Sequence, residues 1–120
     1  ADHVAAHEGL ALAYSMTADW AGGEKHFAKL IQLQPMQARH YINLGMLYTR
    51  KGDFQKAVDT LRRALQRDRK NASTYFSLGL AYRKLKQPAM SVNAYKEAIR
   101  IQPEYAEAHL NLANVLVDMG

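Results

Sequence analysis

Tyr41, Leu44, Gly45 and Tyr48 stand at i, i+3, i+4 and i+7, so apolar and small side chains form one stripe along a helix of 3.6 residues per turn. A second stripe starts at about Phe54 and continues through Ala57, Leu61 and Ala64, again three and four residues apart. Between them lies Gly52, where a left-handed cap needs no Cβ, and then Asp53, whose side chain can cap the helix that follows. The pattern predicts two amphipathic helices folded back on one another. Neither can bury its stripe without a neighbour.

The same pattern recurs every 34 residues. Leu10, Leu44, Leu78 and Leu112 keep that interval, each followed by a small residue: Ala11, Gly45, Gly79 and Ala113. Tyr14, Tyr48 and Tyr82 keep it too, with Leu116 in the last copy. Later in each unit come Gly23, Ala57 and Ser91, then Phe27, Leu61 and Tyr95, then Leu30, Ala64 and Ala98. The small residue lets a neighbouring helix approach, and the aromatic three positions on fills the space beyond. Periods of this length mark stacked repeats. The expected architecture is an all-α solenoid of antiparallel helix pairs, one domain over 1–120, with units 4–37, 38–71 and 72–105 and a first helix alone at 106–120. Departures are local. Lys86 takes the place of the inter-helix glycine, which costs about 1 kcal/mol if φ is positive there. Pro88 suits the first turn of the next helix. Gly22-Gly23 is expected to loosen the second helix of the first unit, and Arg69 stands where Pro35 and Pro103 close the other units.

Taken together, aromatic, Leu, Gly/Ala and Tyr, then Gly, Ala, aromatic, Ala and Pro resemble the tetratricopeptide repeat, from about residue 4 to the end of the chain. The resemblance implies a right-handed superhelix of about three and a half repeats whose first helices line a concave groove. It implies a module that recruits or scaffolds a protein partner, without cofactor or catalysis of its own.

On the first helices the face opposite the packing stripe carries Arg39, Ile42, Met46, Thr49 and Arg50 in the second unit. In the third it carries Ser73, Phe76, Leu80, Arg83 and Lys84; Leu12 contributes from the first and Leu110 from the last. A solvated face should be mostly charged, yet apolar side chains recur here. Either they pack between successive first helices or they form an interaction stripe. With Arg39, Arg50, Arg83 and Lys84 beside them, the expected ligand is a peptide or helix with apolar anchors and acidic residues. Asn43, Ser77 and Asn111 share one position of the unit, with Asn114 one turn further on. An amide offers a donor and an acceptor, so such a ladder can hold a peptide backbone. "LNLANVLVDMG" is similar to the ladders of superhelices fused to O-GlcNAc transferases, which raises a second role as substrate-recognition repeats of a larger enzyme such as a glycosyltransferase. The alternative is that small polar residues merely tolerate a half-exposed site, since Ser77 interrupts the ladder. Members of the family that clamp chaperone tails ending in two carboxylates carry Lys and Asn where this chain has Glu8 and Leu12, or Ile42 and Met46. That clamp is not expected.

Charge adds one feature. Residues 38–71 hold nine Lys and Arg against three Asp and Glu, within a net charge of +5 for the 120-residue chain. "RRALQRDRK", Arg62 to Lys70, is the densest part. It lies on a second helix, without interleaved aromatics for base stacking, so nucleic acid is not the expected partner. His3 and His7 are four apart, but two ligands do not make a structural zinc site and His7 holds a packing position. There is no cysteine, no GxSxG, no phosphate loop and no dinucleotide fingerprint. No apolar run approaches the roughly 20 residues that span a bilayer, so membrane insertion is not expected, and localisation is left open. The last helix ends at Gly120 with Leu112, Val115, Leu116 and Met119 expected to lack a partner. That predicts either further repeats or end-to-end self-association into a homo-oligomer.

Overall fold

The computed structural model describes residues 19–120. They form six helices: α1 Trp20–Leu33, α2 Ala38–Lys51, α3 Phe54–Arg67, α4 Ala72–Lys84, α5 Pro88–Ile101 and α6 Ala106–Asp118. No strand occurs among the described residues. Successive helices pack on one another, and the first helices of neighbouring units, α2 and α4, also touch. The result is an elongated stack, 48 × 26 × 21 Å.

The stripes are the core. Phe27 and Leu30 of α1, Leu44, Leu47 and Tyr48 of α2, Leu61 of α3, Leu78 and Tyr82 of α4 and Ala94 of α5 belong to one buried cluster. The small residues act as notches. A Cβ built on Gly45 would lie 2.6 Å from Leu61 Cγ, and one on Gly79 would lie 2.5 Å from Tyr95 Cε1. Within each pair the helices are therefore as close as backbone against side chain allows.

Two corners have the same hydrogen bonds and different residues. After α2, Gly52 N–H donates to Thr49 O and Asp53 N–H to Tyr48 O. After α4, Lys86 N–H donates to Arg83 O and Gln87 N–H to Tyr82 O. This is a Schellman cap, which needs a left-handed residue. Gly52 has φ 91° and Lys86 has φ 59°. Pro88 opens α5 at once, where its missing N–H costs nothing.

Three helix starts, those of α1, α3 and α4, are held by side chains. Asp19 accepts from Gly22 N–H at the start of α1, which runs unbroken through Gly22-Gly23. Asp53 caps α3, and Asn71 caps α4 through Ser73 and Thr74 N–H. Tyr41 Oη donates to Pro35 O at 3.0 Å, and His109 Nε2 donates to Pro103 O at 2.7 Å. These bonds join equivalent residues two repeats apart, so a phenol and an imidazole serve one purpose.

The last helix departs from expectation. Val115, expected to lack a partner, is 1% exposed and packs with Val92 and Tyr95 of α5, with Leu112 half-buried against them. A first helix turns part of its stripe to the preceding unit, which this chain contains. Leu110, Leu116, Val117 and Met119 stay exposed.

Candidate functional site

The first helices bring Met46, Thr49 and Arg50 of α2 together with Ser73, Phe76, Ser77 and Leu80 of α4, and Tyr105 and Glu107 at the start of α6. They line a cleft of about 340 Å3. Its floor is aromatic. Phe76 stacks on Tyr105 with ring centres 5.1 Å apart and meets Tyr95 at 5.8 Å in a tilted contact. Tyr95 is fully buried and fixed by its fit against Gly79, so Phe76 rests on a rigid support. Burial, reinforced by the charge of Glu107, raises the Tyr105 hydroxyl above the ordinary tyrosine value, so the phenol stays neutral. Arg50 and Glu107 give the rim one side chain of each sign.

Other expected site residues are placed differently. Leu12 lies outside the described residues, as do His3 and His7. Ile42, expected as a groove anchor, is 7% exposed and packs with Tyr41, Ala64 and Ile31, so it serves the core. Arg83 makes an ion pair with Asp118 at 2.7 Å, which ties α4 to α6. Lys84 and Arg39 are exposed, and Asn43 is half-buried. Within the Asn ladder, Ser77 is buried and Asn111 donates its amide to Glu107 O of its own helix at 2.8 Å, while Asn114 is exposed. Asn111 therefore spends one of its two amide donors within its own helix. Tyr105 escaped the periodic reading because it stands ahead of its helix. Its only signal is that an aromatic follows Pro103 by two residues.

Among the described residues no group of three or more His, Cys, Asp or Glu could hold a metal ion, and no helix is long and apolar enough to cross a membrane. "RRALQRDRK" is divided by the fold. Arg63 and Arg67 lie over the Tyr41 ring at 5.2 and 4.4 Å, and Arg67 also donates to Pro35 O. Arg62 and Arg69 point elsewhere.

Stacked antiparallel helix pairs, each presenting its first helix to a shared cleft, define a helical-repeat solenoid. A sequence model described as TPR repeat matches residues 45–86 and 89–120, more than half of the chain, and the chain belongs to the tetratricopeptide-repeat family. Solved structures share the fold at low identity. The TPR2B domain of yeast Sti1, in complex with pHsp70, superposes with a TM-score of 0.91 at 17% identity, covering 98% of this chain and 99% of that one. The first TPR of Spaghetti (RPAP3), bound to the HSP90 peptide SRMEEVD, gives 0.93 at 16% identity, with 98% and 96% covered. MamA gives 0.89 at 21% identity; 98% of this chain is covered, and this chain spans only 64% of MamA. The O-GlcNAc transferase of Thermobaculum terrenum gives 0.86 at 24%, with 96% of this chain and 22% of the enzyme covered.

Proposed function

We propose that the chain is a protein-interaction module that holds a peptide or helix of a partner in the cleft between α2, α4 and α6 and performs no chemistry itself. The observation that carries this reading is the convergence of Met46, Phe76, Leu80 and Tyr105, from three segments, on one open apolar floor. Apolar side chains that meet in a cleft, rather than scattering over a surface, are the usual anchor sites of partners. The Sti1 and Spaghetti domains, similar over nearly their whole length, were solved with chaperone peptides. The rim refines the ligand. Glu107 puts a negative charge at the α6 end of the rim, so the acidic residue of the ligand belongs toward α2, away from it, with a bulky apolar anchor over Phe76.

Peptide display against the folded domain tests this. Selected sequences should pair an apolar anchor with an acidic residue, and the double variant Met46→Ala/Phe76→Ala should lose them while keeping its helical circular dichroism. Equal retention by the variant refutes the cleft. A labelled SRMEEVD peptide should bind poorly, because Ile42 is buried and Met46 is apolar where a carboxylate clamp has Lys and Asn.

A second reading has its own observation. Ala113 is exposed, whereas Gly45 and Gly79 at the same place in their units are covered by Leu61 and Tyr95. With Leu116 and Met119 beside it, α6 offers a seat for another helix and supports self-association. Sedimentation of Leu116→Lys/Met119→Lys against the parent decides it: a dimer that the substitutions dissociate supports this seat, and a monomer at all concentrations removes it. A role as substrate-recognition repeats within a larger enzyme rests on the O-GlcNAc transferase likeness, and Asn111, turned back on its own helix, supports it least.

A further inference from the structure

A second cleft, sharing no lining residue with the first, lies along the second helices. Arg62, Leu65, Arg69 and Tyr75 line one part of about 390 Å3, and Arg62, Leu65 and Tyr75 continue into a part of about 240 Å3 with Leu78 and Met90. The two share a wall, so they form one trough between α3 and α5 with α4 as its floor. One half is apolar: Leu65, Leu78 and Met90, the last of them exposed. The other half is cationic. Arg62 and Arg69 are both exposed and, among the described residues, neither has an acidic or hydrogen-bonding partner, in contrast to Arg63 and Arg67 against Tyr41. Across the trough Glu97 is held by Arg100, so its negative charge is already matched.

We infer that this trough is a docking site for an acidic peptide segment of a partner protein, with an aliphatic side chain over Leu65 and Met90 and a carboxylate between Arg62 and Arg69. Charge complementarity selects this occupant. Two guanidinium groups beside an apolar pocket match a carboxylate next to an aliphatic anchor, each fork able to take two oxygens. A nucleic acid would need a longer cationic track and exposed rings for stacking, whereas the rings that line the trough, Tyr75 and Tyr82, are half-buried and buried.

The test uses a fluorescein-labelled synthetic peptide of alternating Leu and Glu, followed by anisotropy and by amide shifts of the labelled protein. Binding should perturb Leu65, Tyr75 and Met90. Arg62→Glu/Arg69→Glu should weaken it at least about tenfold, and Met90→Ala by about three- to tenfold. All three sites are exposed, so the fold should persist, with circular dichroism as the check. A peptide of this kind also suits the cleft on the first helices, so the shifts at Leu65, Tyr75 and Met90 are the readout, and they should persist in the Met46→Ala/Phe76→Ala protein, in which that cleft is disabled. Absence of binding overturns the inference, and so do shifts confined to Met46, Phe76 and Leu80. An oligo-dT of matched charge that competes equally also overturns it, since the site would then read charge alone.

Discussion

One methyl group measures how closely the helices are packed. Ala exceeds Gly in a helix interior by about 1 kcal/mol, yet the Cβ of Gly79→Ala would enter the rigid, buried ring of Tyr95. Overpacking costs about 1–3 kcal/mol, so the clash wins, and the urea midpoint should fall. Gly45→Ala should be milder, because Leu61 can change rotamer. At the corner after α4 the sign reverses. Lys86 holds φ 59° with nothing but a lysine stem to gain from it, and Lys86→Gly should add about 0.5–1 kcal/mol in the same titration. Tyr48 donates to Glu24 at 2.7 Å across α1 and α2; burial first, then the bond and charge of Glu24, push its hydroxyl well above 10. Burial raises Tyr95 and Tyr105 as well. Above about pH 10 the unfolded chain releases phenolic protons that the folded chain retains, so stability present below that pH is lost as the pH rises. Tyr48→Phe should flatten this alkaline loss in pH-dependent thermal melts. At this scale the sequence was readable where size alone decides, as at Gly45 and Gly79, and where a corner needs positive φ, as at Lys86. It was not readable where a partner distant in the chain decides. The pairing of Arg83 with Asp118 and the burial of Ile42 against Ala64 depend on the angle between helices, which spacing does not encode.

Each helix here is held by a stripe and by its neighbours in the stack, and α6 is the instructive case. Its stripe is split: Val115 and Leu112 face α5, while Leu116, Val117 and Met119 face solvent. Periodicity identified the apolar positions but treated them as one face, because a first helix packs both on its own partner and on the preceding unit. Val115→Ala removes two carbons from a buried site and should cost about 2 kcal/mol. Hydrogen exchange should show α6 losing protection before α2–α4 do. The Arg83–Asp118 pair also joins α6 to α4, but it is exposed. A double-mutant cycle on it should give less than about 1 kcal/mol, most of it screened by salt. Van der Waals docking, more than the ion pair, holds the last helix.

At the scale of the whole molecule, the described helices pack chiefly on near neighbours along the stack, so the 34-residue spacing made the fold legible in a way that a closed globule would not have allowed. The candidate cleft was legible in part for the same reason: Met46, Phe76 and Leu80 occupy repeated positions, whereas Tyr105 sits in a connection and the trough under Arg62 and Arg69 arises between two second helices. Stability in such a chain is roughly a sum over units and their interfaces. Tyr75 and Phe76 carry a last consequence. Adjacent in the chain, they belong to different surfaces, Tyr75 to the trough and Phe76 to the cleft. About 100° of rotation around a single helical axis keeps them apart. Inserting or deleting one residue early in α4 would turn the helix by that amount, like a key forced one notch, and each ring would arrive at the wrong door.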